Sequence, residues 1–480
     1  MAQFEIKDGT AIIPDGTTEI GYDAFKGCTS LESVTIPESV TESDSSAFSC
    51  CTSLESITIP ESVTKIEKYA FDGCTSLKSI TIPESVTSIG ERAFSGCTSL
   101  KSIAIPNSVT KIGWSAFSNC TSLKSIIISE SVTEIGEGAF NGCTLLESIV
   151  VADGNPVYDS REGCNAIIET TTNTLIKGFK TTVIPESVTE IGERAFEDCT
   201  SLKSITIPES VTKIEEYAFY SCTSLESIVV ADGNPVYDSR EGCNAIIETT
   251  TNTLIQGCKT TVIPESVTEI GERAFEDCTS LESITIPDSI TSIGNVAFSG
   301  CTSLKSITIP ESVTEIGDDA FSGCTSLKSI TIPESVTEIG DGAFGGCTSL
   351  ENITIPESVT KIVEEAFICC TSLKSITIPE SVTYIEESAF EGCTSLESIT
   401  IPKLVTWIEP YTFQGCTSLK SITIPEDVEN IGTDAFDGCT SLVTINVPAK
   451  KTDYYKELLP EELHDKIVEL APEKRTKVKK

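Results

Sequence analysis

The stretch Cys324-Thr-Ser-Leu-Lys-Ser-Ile-Thr-Ile-Pro-Glu-Ser-Val-Thr-Glu-Ile-Gly-Asp-Gly-Ala-Phe-Gly-Gly346 ends where the same pattern restarts, at Cys347. Its leading cysteine recurs at positions 28, 51, 74, 97, 120, 143, 199, 222, 278, 301, 324, 347, 370, 393, 416 and 439, and every short interval is 23 residues. A fixed period of that length is the signature of a solenoid, in which each repeat is one coil.

Within the repeat, Leu327, Ile330 and Ile332 follow the spacing L-x-x-L-x-L. On an extended chain Ile330 and Ile332 share a face, and Leu327 enters from the preceding turn. Pro333 has no N–H to give to a ladder and closes the strand. Val336 and Ile339 make a second short apolar element. Ala343, Phe344 and Cys347 follow at near-helical spacing, which predicts a single helical turn. Cys-Thr-Ser then turns the chain back, with hydroxyls that bond local backbone groups. A lone coil does not stand: ordering it costs on the order of 30 kcal/mol, and five or six large apolar side chains return only about 10–15 kcal/mol. Neighbouring coils must complete the burial.

The turn after Ile339 is usually glycine (Gly90, Gly113, Gly136, Gly340), yet Glu67, Glu386 and Val363 hold the same place. A β-branched residue is strongly disfavoured at positive φ. Glycine is therefore expected here for close packing, not for a left-handed backbone.

The chain divides by this reading into an N-terminal capping half-repeat (1–27), a solenoid (28–448), a helical C-terminal cap (449–471) and a basic, disordered tail (472–480). Phe4 and Ile6 are expected to cover the open end. In the second repeat Ser43 stands where Ile66 stands one repeat later, which predicts a looser coil. Two inserts interrupt the array, at about 150–182 and 229–261, and are nearly identical. Each has two apolar strands joined by a Thr/Asn turn (Ala166–Ile168 and Thr174–Ile176 in the first), so each reads as a β-hairpin grafted on an elongated coil. Asp153-Gly-Asn-Pro-Val-Tyr158 lacks the acidic pattern of a calcium loop and reads as a turn. The tail from Tyr454 to Leu470 has helical periodicity broken at Pro460, and predicts two short helices.

The formal net charge of −39, from 33 basic and 72 acidic residues, excludes nucleic acid as a partner. It also argues against unaided binding to anionic membranes. No apolar run is long enough to span a bilayer. No basic region followed by an apolar stretch opens the chain, so an export signal is not expected in it. Glu61, Glu84, Glu311, Glu334, Glu357 and Glu380 form a post-proline ladder; it reads as a solvated face, with weak divalent-cation binding as the alternative.

Of the 21 cysteines, sixteen share one phase. Their Cβ vectors run parallel, which disfavours disulfides, so they read as a buried ladder of free thiols. No paired C-x-x-C spacing points to zinc. Cys50 and Cys369 are expected to be more exposed, and Cys243 and Cys258 flank the second hairpin and could pair. His464 is the only histidine and lies in the capping tail, so the coils hold no Ser/His/Asp or Cys/His site. We expect no enzyme, no catalytic residue, no metal and no cofactor.

The outward sheet positions carry Glu or Lys, Ser and Thr, with few of the Trp, Tyr and Arg residues that dominate binding hot spots. The residues that break this monotony are the candidates for binding: Tyr158, Arg161, Tyr237 and Arg240 in the inserts, and Trp114, Tyr384, Trp407 and Tyr411 on the side opposite the main sheet.

The pattern Leu-x-x-Ile-x-Ile-Pro-x-x-Val-x-x-Ile-Gly-x-x-Ala-Phe-x-x-Cys closely resembles the BspA-like class of leucine-rich repeats, over about residues 10–447. The expected fold is thus a leucine-rich repeat solenoid of 23-residue coils. It has a parallel β-sheet face with short β and helical turns on the other side, two β-hairpin inserts and a short helical C-terminal cap. The resemblance implies bacterial surface or secreted proteins that adhere to host matrix proteins or to other cells. With the single histidine, the acidic charge and the lack of a long apolar run, the expectation is a non-catalytic, monomeric module with a protein partner and no membrane insertion. The alternatives are a cytoplasmic interaction scaffold and, on a surface poor in aromatic rings, a glycan-binding protein.

Overall fold

The computed structural model describes residues 4–471, which fall into two compact units that part between Tyr237 and Asp238. The basic stretch 472–480 lies outside the described residues.

Each unit is a stack of coils in strict register. In the N-terminal unit the strands Thr10–Ile12, Ser33–Thr35, Ser56–Thr58 and Ser79–Thr81 pair in parallel, and Ile57 lies opposite Ile80. The strands Lys65–Ile66, Ser88–Ile89, Lys111–Ile112 and Glu134–Ile135 build a second parallel sheet. The C-terminal unit repeats both, as in Ser398–Thr400 with Ser421–Thr423 and in Trp407–Ile408 with Asn430–Ile431. Alternation along each strand turns isoleucine inward and Ser, Thr or a charge outward. Leu327, Ile330, Ile332, Val336, Ile339, Ala343, Phe344 and Cys347 are all buried.

Phenylalanine rings stack along each unit. From Phe275 to Phe436 successive ring centroids are 5.0–5.7 Å apart with nearly parallel planes. At both inserts a glycine lets the first ring of the next run in: a Cβ on Gly178 would lie 2.2 Å from Phe196. Phe4 stacks on Phe25 at 5.5 Å, and Ile6–Lys7 pairs antiparallel with Thr10–Ile12, which covers the first coil.

The third side of the coil is not the helical turn that the apolar spacing predicts. It is a run of tight turns, with Ala343, Gly345 and Cys347 donating to the carbonyls of Gly340, Gly342 and Phe344. The intervening N–H groups of Gly342, Phe344 and Gly346 leave the coil for the carbonyls of Glu364, Ala366 and Ile368 in the next. This weave needs two left-handed residues per coil, at the phases of Gly342 (φ 62°) and Gly346 (φ 67°). The glycine after Ile339 is not one of them, and neither is Val363. Close approach explains it: a Cβ on Gly340 would lie 2.3 Å from the Asp318 nitrogen.

Three further expectations change. Each expected hairpin is present, Ile167–Glu169 with Thr174–Lys177 and Ile246–Glu248 with Thr253–Gln256, but in the first insert Tyr158–Asp159 adds a third strand, and Thr174–Lys177 then pairs in parallel with Glu190–Ile191 of the second sheet. The insert is thus built into the stack rather than grafted on it. In the tail, helix Thr452–Leu458 and a 3-10 turn at Glu461–Lys466 are followed by a strand, Ile467–Glu469, that adds to Thr444–Val447. Cys243 and Cys258 are separate thiols, with Sγ atoms directed at the carbonyls of Ala245 (3.8 Å) and Asn244 (3.4 Å).

Two positions break the rule of their own ladder. Val296 occupies the left-handed phase with φ 59°, where Asp319, Gly342 and Glu365 stand in the following coils. A β-branched side chain there costs about 1–2 kcal/mol. V296G should therefore raise the urea midpoint of the chain, by about 1 kcal/mol in stability. Ser43 faces Ile20 across the second sheet, with its hydroxyl buried and without a hydrogen-bond partner and a cavity of about 20 Å³ beside it. S43I should restore the ladder and stabilise by about 1–3 kcal/mol. An unchanged or lower midpoint in S43I would show that the coil has closed around serine.

Candidate functional site

The first sheet presents in-register rows. Lysines pair with glutamates one coil away, at 2.8 Å for Lys78–Glu55, 2.7 Å for Lys305–Glu282 and 2.6 Å for Lys420–Glu397. All six side chains are more than half exposed, so these pairs contribute little to stability. The row of Thr58 and Thr81 turns apolar at Ala104, Ile127 and Val150, which lie in register and exposed. The post-proline glutamates are exposed, and among the described residues no three of His, Cys, Asp or Glu converge as metal ligands.

The insert residues expected to bind a partner are turned to internal tasks. Tyr158 and Tyr237 are 8% and 7% exposed. Their hydroxyls accept from the Ile135 and Ile214 N–H groups, each at 3.2 Å, and so tie each tyrosine to the coil before it. Arg161 is forked onto Asp159 (2.9 Å to each oxygen) and donates to Asn173 Oδ1 at 3.0 Å. Arg240 makes the matching contacts with Asp238 and Asn252. The two copies use the same chemistry, an arginine that ties the aspartate before it to the asparagine of the hairpin turn.

The first insert also holds a buried cation that residue patterning did not single out. Lys177 is 6% exposed and donates to Asn141 Oδ1 (2.7 Å) and the Glu197 carbonyl (2.9 Å). The buried Glu197 carboxylate takes Arg194 at 2.6 Å and Asn141. The second copy carries Gln256 in place of Lys177, bonded to the Gly257 carbonyl at 3.0 Å. Comparison of the two copies was the one available signal, since Lys177 and Gln256 differ where most of the insert does not.

The other four candidates stand on turns and on the second sheet. Trp114 is 48% exposed and follows the close-packed Gly113. Tyr411 is half-buried, at the left-handed phase (φ 56°). Tyr384 and Trp407 precede Ile385 and Ile408, which pair across adjacent strands, so the two rings are outward neighbours. Lys361 flanks Tyr384 in that row and Asn430 flanks Trp407. Of the eight candidates, the structure brings this one pair together on an open face.

The family model described as "BspA type Leucine rich repeat region (6 copies)" matches residues 6–90, 64–160, 167–243, 251–370 and 337–459. No curated protein sequence matches the chain. Among solved structures, a leucine-rich repeat protein from Bacteroides ovatus is 29% identical, with 96% of this chain and 92% of that one covered and a TM-score of 0.38. A leucine rich cell surface protein from Faecalibacterium prausnitzii is 27% identical, with 95% of each chain covered and a TM-score of 0.38. A leucine-rich repeat protein from Eubacterium ventriosum is 25% identical, with 76% and 83% covered and a TM-score of 0.46.

The cysteine ladder lies inside. Cys301, Cys324 and Cys347 each donate to the carbonyl of a phenylalanine one coil back, Phe275, Phe298 and Phe321, at 3.2 Å. Burial pushes the Cys51, Cys347 and Cys393 thiols up to about 12, which keeps them protonated and unreactive at neutral pH. Cys50 and Cys369 are exposed at the second left-handed phase, and Cys28 and Cys278 are half-buried. Brief iodoacetamide treatment of the native protein at pH 8 should therefore modify Cys50 and Cys369 first, by peptide mass spectrometry. Equal labelling of Cys324 would show that the ladder opens.

Proposed function

Because the chain belongs to the BspA-type leucine-rich repeat family, matched over most of its length, we propose that it is a non-catalytic, monomeric protein-binding and adhesion module. It acts at the bacterial cell surface or after secretion, on host matrix proteins or on other cells. The observation that carries this reading is the in-register outward face of the coils. It offers repeated, chemically uniform rows, which suit weak multivalent contact with an extended partner. Such rows do not assemble a nucleophile, a base and an oxyanion site at one point. Its one histidine supports the same view: His464 Nε2 lies 2.9 Å from the Leu459 carbonyl, inside the C-terminal cap.

A second reading, a cytoplasmic interaction scaffold, draws on the thiols. All 21 cysteines are unpaired, and Cys50 and Cys369 face solvent, as suits a reducing compartment. Antibody labelling of intact native cells separates the two, since surface staining excludes the scaffold.

Binding of the purified chain to immobilised fibronectin, immobilised fibrinogen and whole cells tests the main reading. The native protein should bind at least one of them severalfold above its heat-denatured form, and added salt should weaken the binding. Binding no better than the denatured control on every surface would overturn it.

A further inference from the structure

The Tyr384–Trp407 pair differs from every other outward row. Tyr384 is 54% and Trp407 43% exposed, one strand spacing apart (about 4.8 Å) on the second sheet. Leu404, also on this coil, is 57% exposed. Two large aromatic rings side by side on open sheet are the composition of a binding hot spot.

The surroundings decide what kind of partner they fit. Glu386 and Glu409 follow Tyr384 and Trp407 by two residues, just past the ends of the two strands, and both are half-buried. Lys361, the cation nearest in the row, is already paired with Glu386 at 2.6 Å. Burial, then the neighbouring Glu386 and Glu387, push the Glu409 carboxyl above its usual range. Burial, then Asp318, Glu386 and Glu364, do the same to Asp341. Carboxylates that raise one another share an excess of negative potential. The sequence agrees: between Cys278 and Cys439 stand 24 Asp and Glu against 6 Lys and no Arg, a net charge of −18.

The N-terminal unit shows what this chain places on such rings. The Arg194 guanidinium lies 4.6 Å over the Tyr217 ring, and that of Arg92 lies 5.8 Å over Tyr69. Among the described residues no cation lies over Tyr384 or Trp407.

We propose that Tyr384, Trp407, Glu386 and Glu409 form a docking surface for an arginine-bearing polypeptide segment of a partner protein. The guanidinium plane stacks on the rings, and its N–H fork pairs with the carboxylates. Arginine fits better than lysine, because its flat, weakly hydrated head can stack and pair at once. An acidic segment would meet the Glu386 and Glu409 carboxylates beside the rings. This inference rests on the protein-binding reading above, and adds the face and the chemistry of the partner.

The test is calorimetric titration of the full chain, at 0.15 M salt, with a capped nonapeptide of alternating Arg and Gly. The expected result is saturable binding that the matching Lys–Gly peptide shows at least about fivefold more weakly. The Y384S/W407S variant should weaken the Arg peptide by about tenfold or more. E282Q/E397Q, which removes two carboxylates from the first sheet, should leave it within about twofold. Both variants alter exposed side chains, and circular dichroism of each checks that the fold is kept. Equal affinity of the Arg peptide for the parent and Y384S/W407S would overturn the proposal, because the peptide would then be reading overall charge. The probe is independent of any matrix protein. Loss of the peptide effect with matrix binding intact removes this site alone, and the reverse removes only the adhesion reading.

Discussion

A backbone N–H that leaves its own coil for a carbonyl of a neighbour is the interaction on which the rest depends. Phe321 donates to Ala343 at 2.8 Å, Gly323 to Gly345 at 2.7 Å, and Thr314 back to Thr291 at 2.9 Å, so each coil is bonded on both sides. A coil one residue longer would place every following donor against the wrong acceptor. That is why the period holds at 23 wherever coil follows coil directly. An insert is tolerated only where it rejoins the ladder, as Thr174–Lys177 does by taking the place of a second-sheet strand beside Glu190–Ile191.

Register then selects the residues. A side chain at a given phase meets the same phase of the next coil at one strand spacing, so what packs well on itself is repeated. Phenylalanine stacks on phenylalanine, and the thiol of Cys324 reaches the Phe298 carbonyl that already accepts from the Cys301 N–H. Glycine at Gly113 leaves room for the Gly90 carbonyl carbon, 2.6 Å from where a Cβ would stand. One misfit is felt by two neighbours, as at Ser43, where an unbonded hydroxyl faces an apolar column. The monotony of the sequence is therefore a packing requirement, and departures from it on the outward face are free of that requirement.

The buried half of the coil was legible because periodicity reports burial directly. Leu327, Ile330, Ile332, Val336 and Ile339 were readable as core from spacing alone. The turn weave was not, because spacing is silent about φ. Ala343, Phe344 and Cys347 fit a helical turn equally well, and the left-handed phase is filled by Asp, Ser, Arg, Tyr, Glu and Val as well as Gly, which hides its backbone demand. The terminal strand failed for a related reason: Leu463, Ile467 and Leu470 are spaced as on a helix, and only pairing with Thr444–Val447 makes Ile467–Glu469 extended. In the inserts, Tyr158 and Arg161 have the composition of a hot spot. Composition does not say whether an aromatic ring and a guanidinium face outward or, as here, lock a meander from within.

The same logic bears on function. A catalytic centre needs unlike groups brought to one point, whereas a register that repeats every outward residue spreads like groups along a line. Ion pairs such as Lys78–Glu55 are exposed and contribute little, so the partner contact proposed for the first sheet would draw its strength from number. Tyr384 and Trp407 escape this rule because the second-sheet position they occupy faces away from the core and places no packing demand on its neighbours; Glu338, Lys361 and Asn430 hold it in other coils. The fold leaves the side chain at this position unconstrained, so stability does not account for two large rings set side by side amid carboxylates, and it is on that freedom that the docking surface proposed above draws.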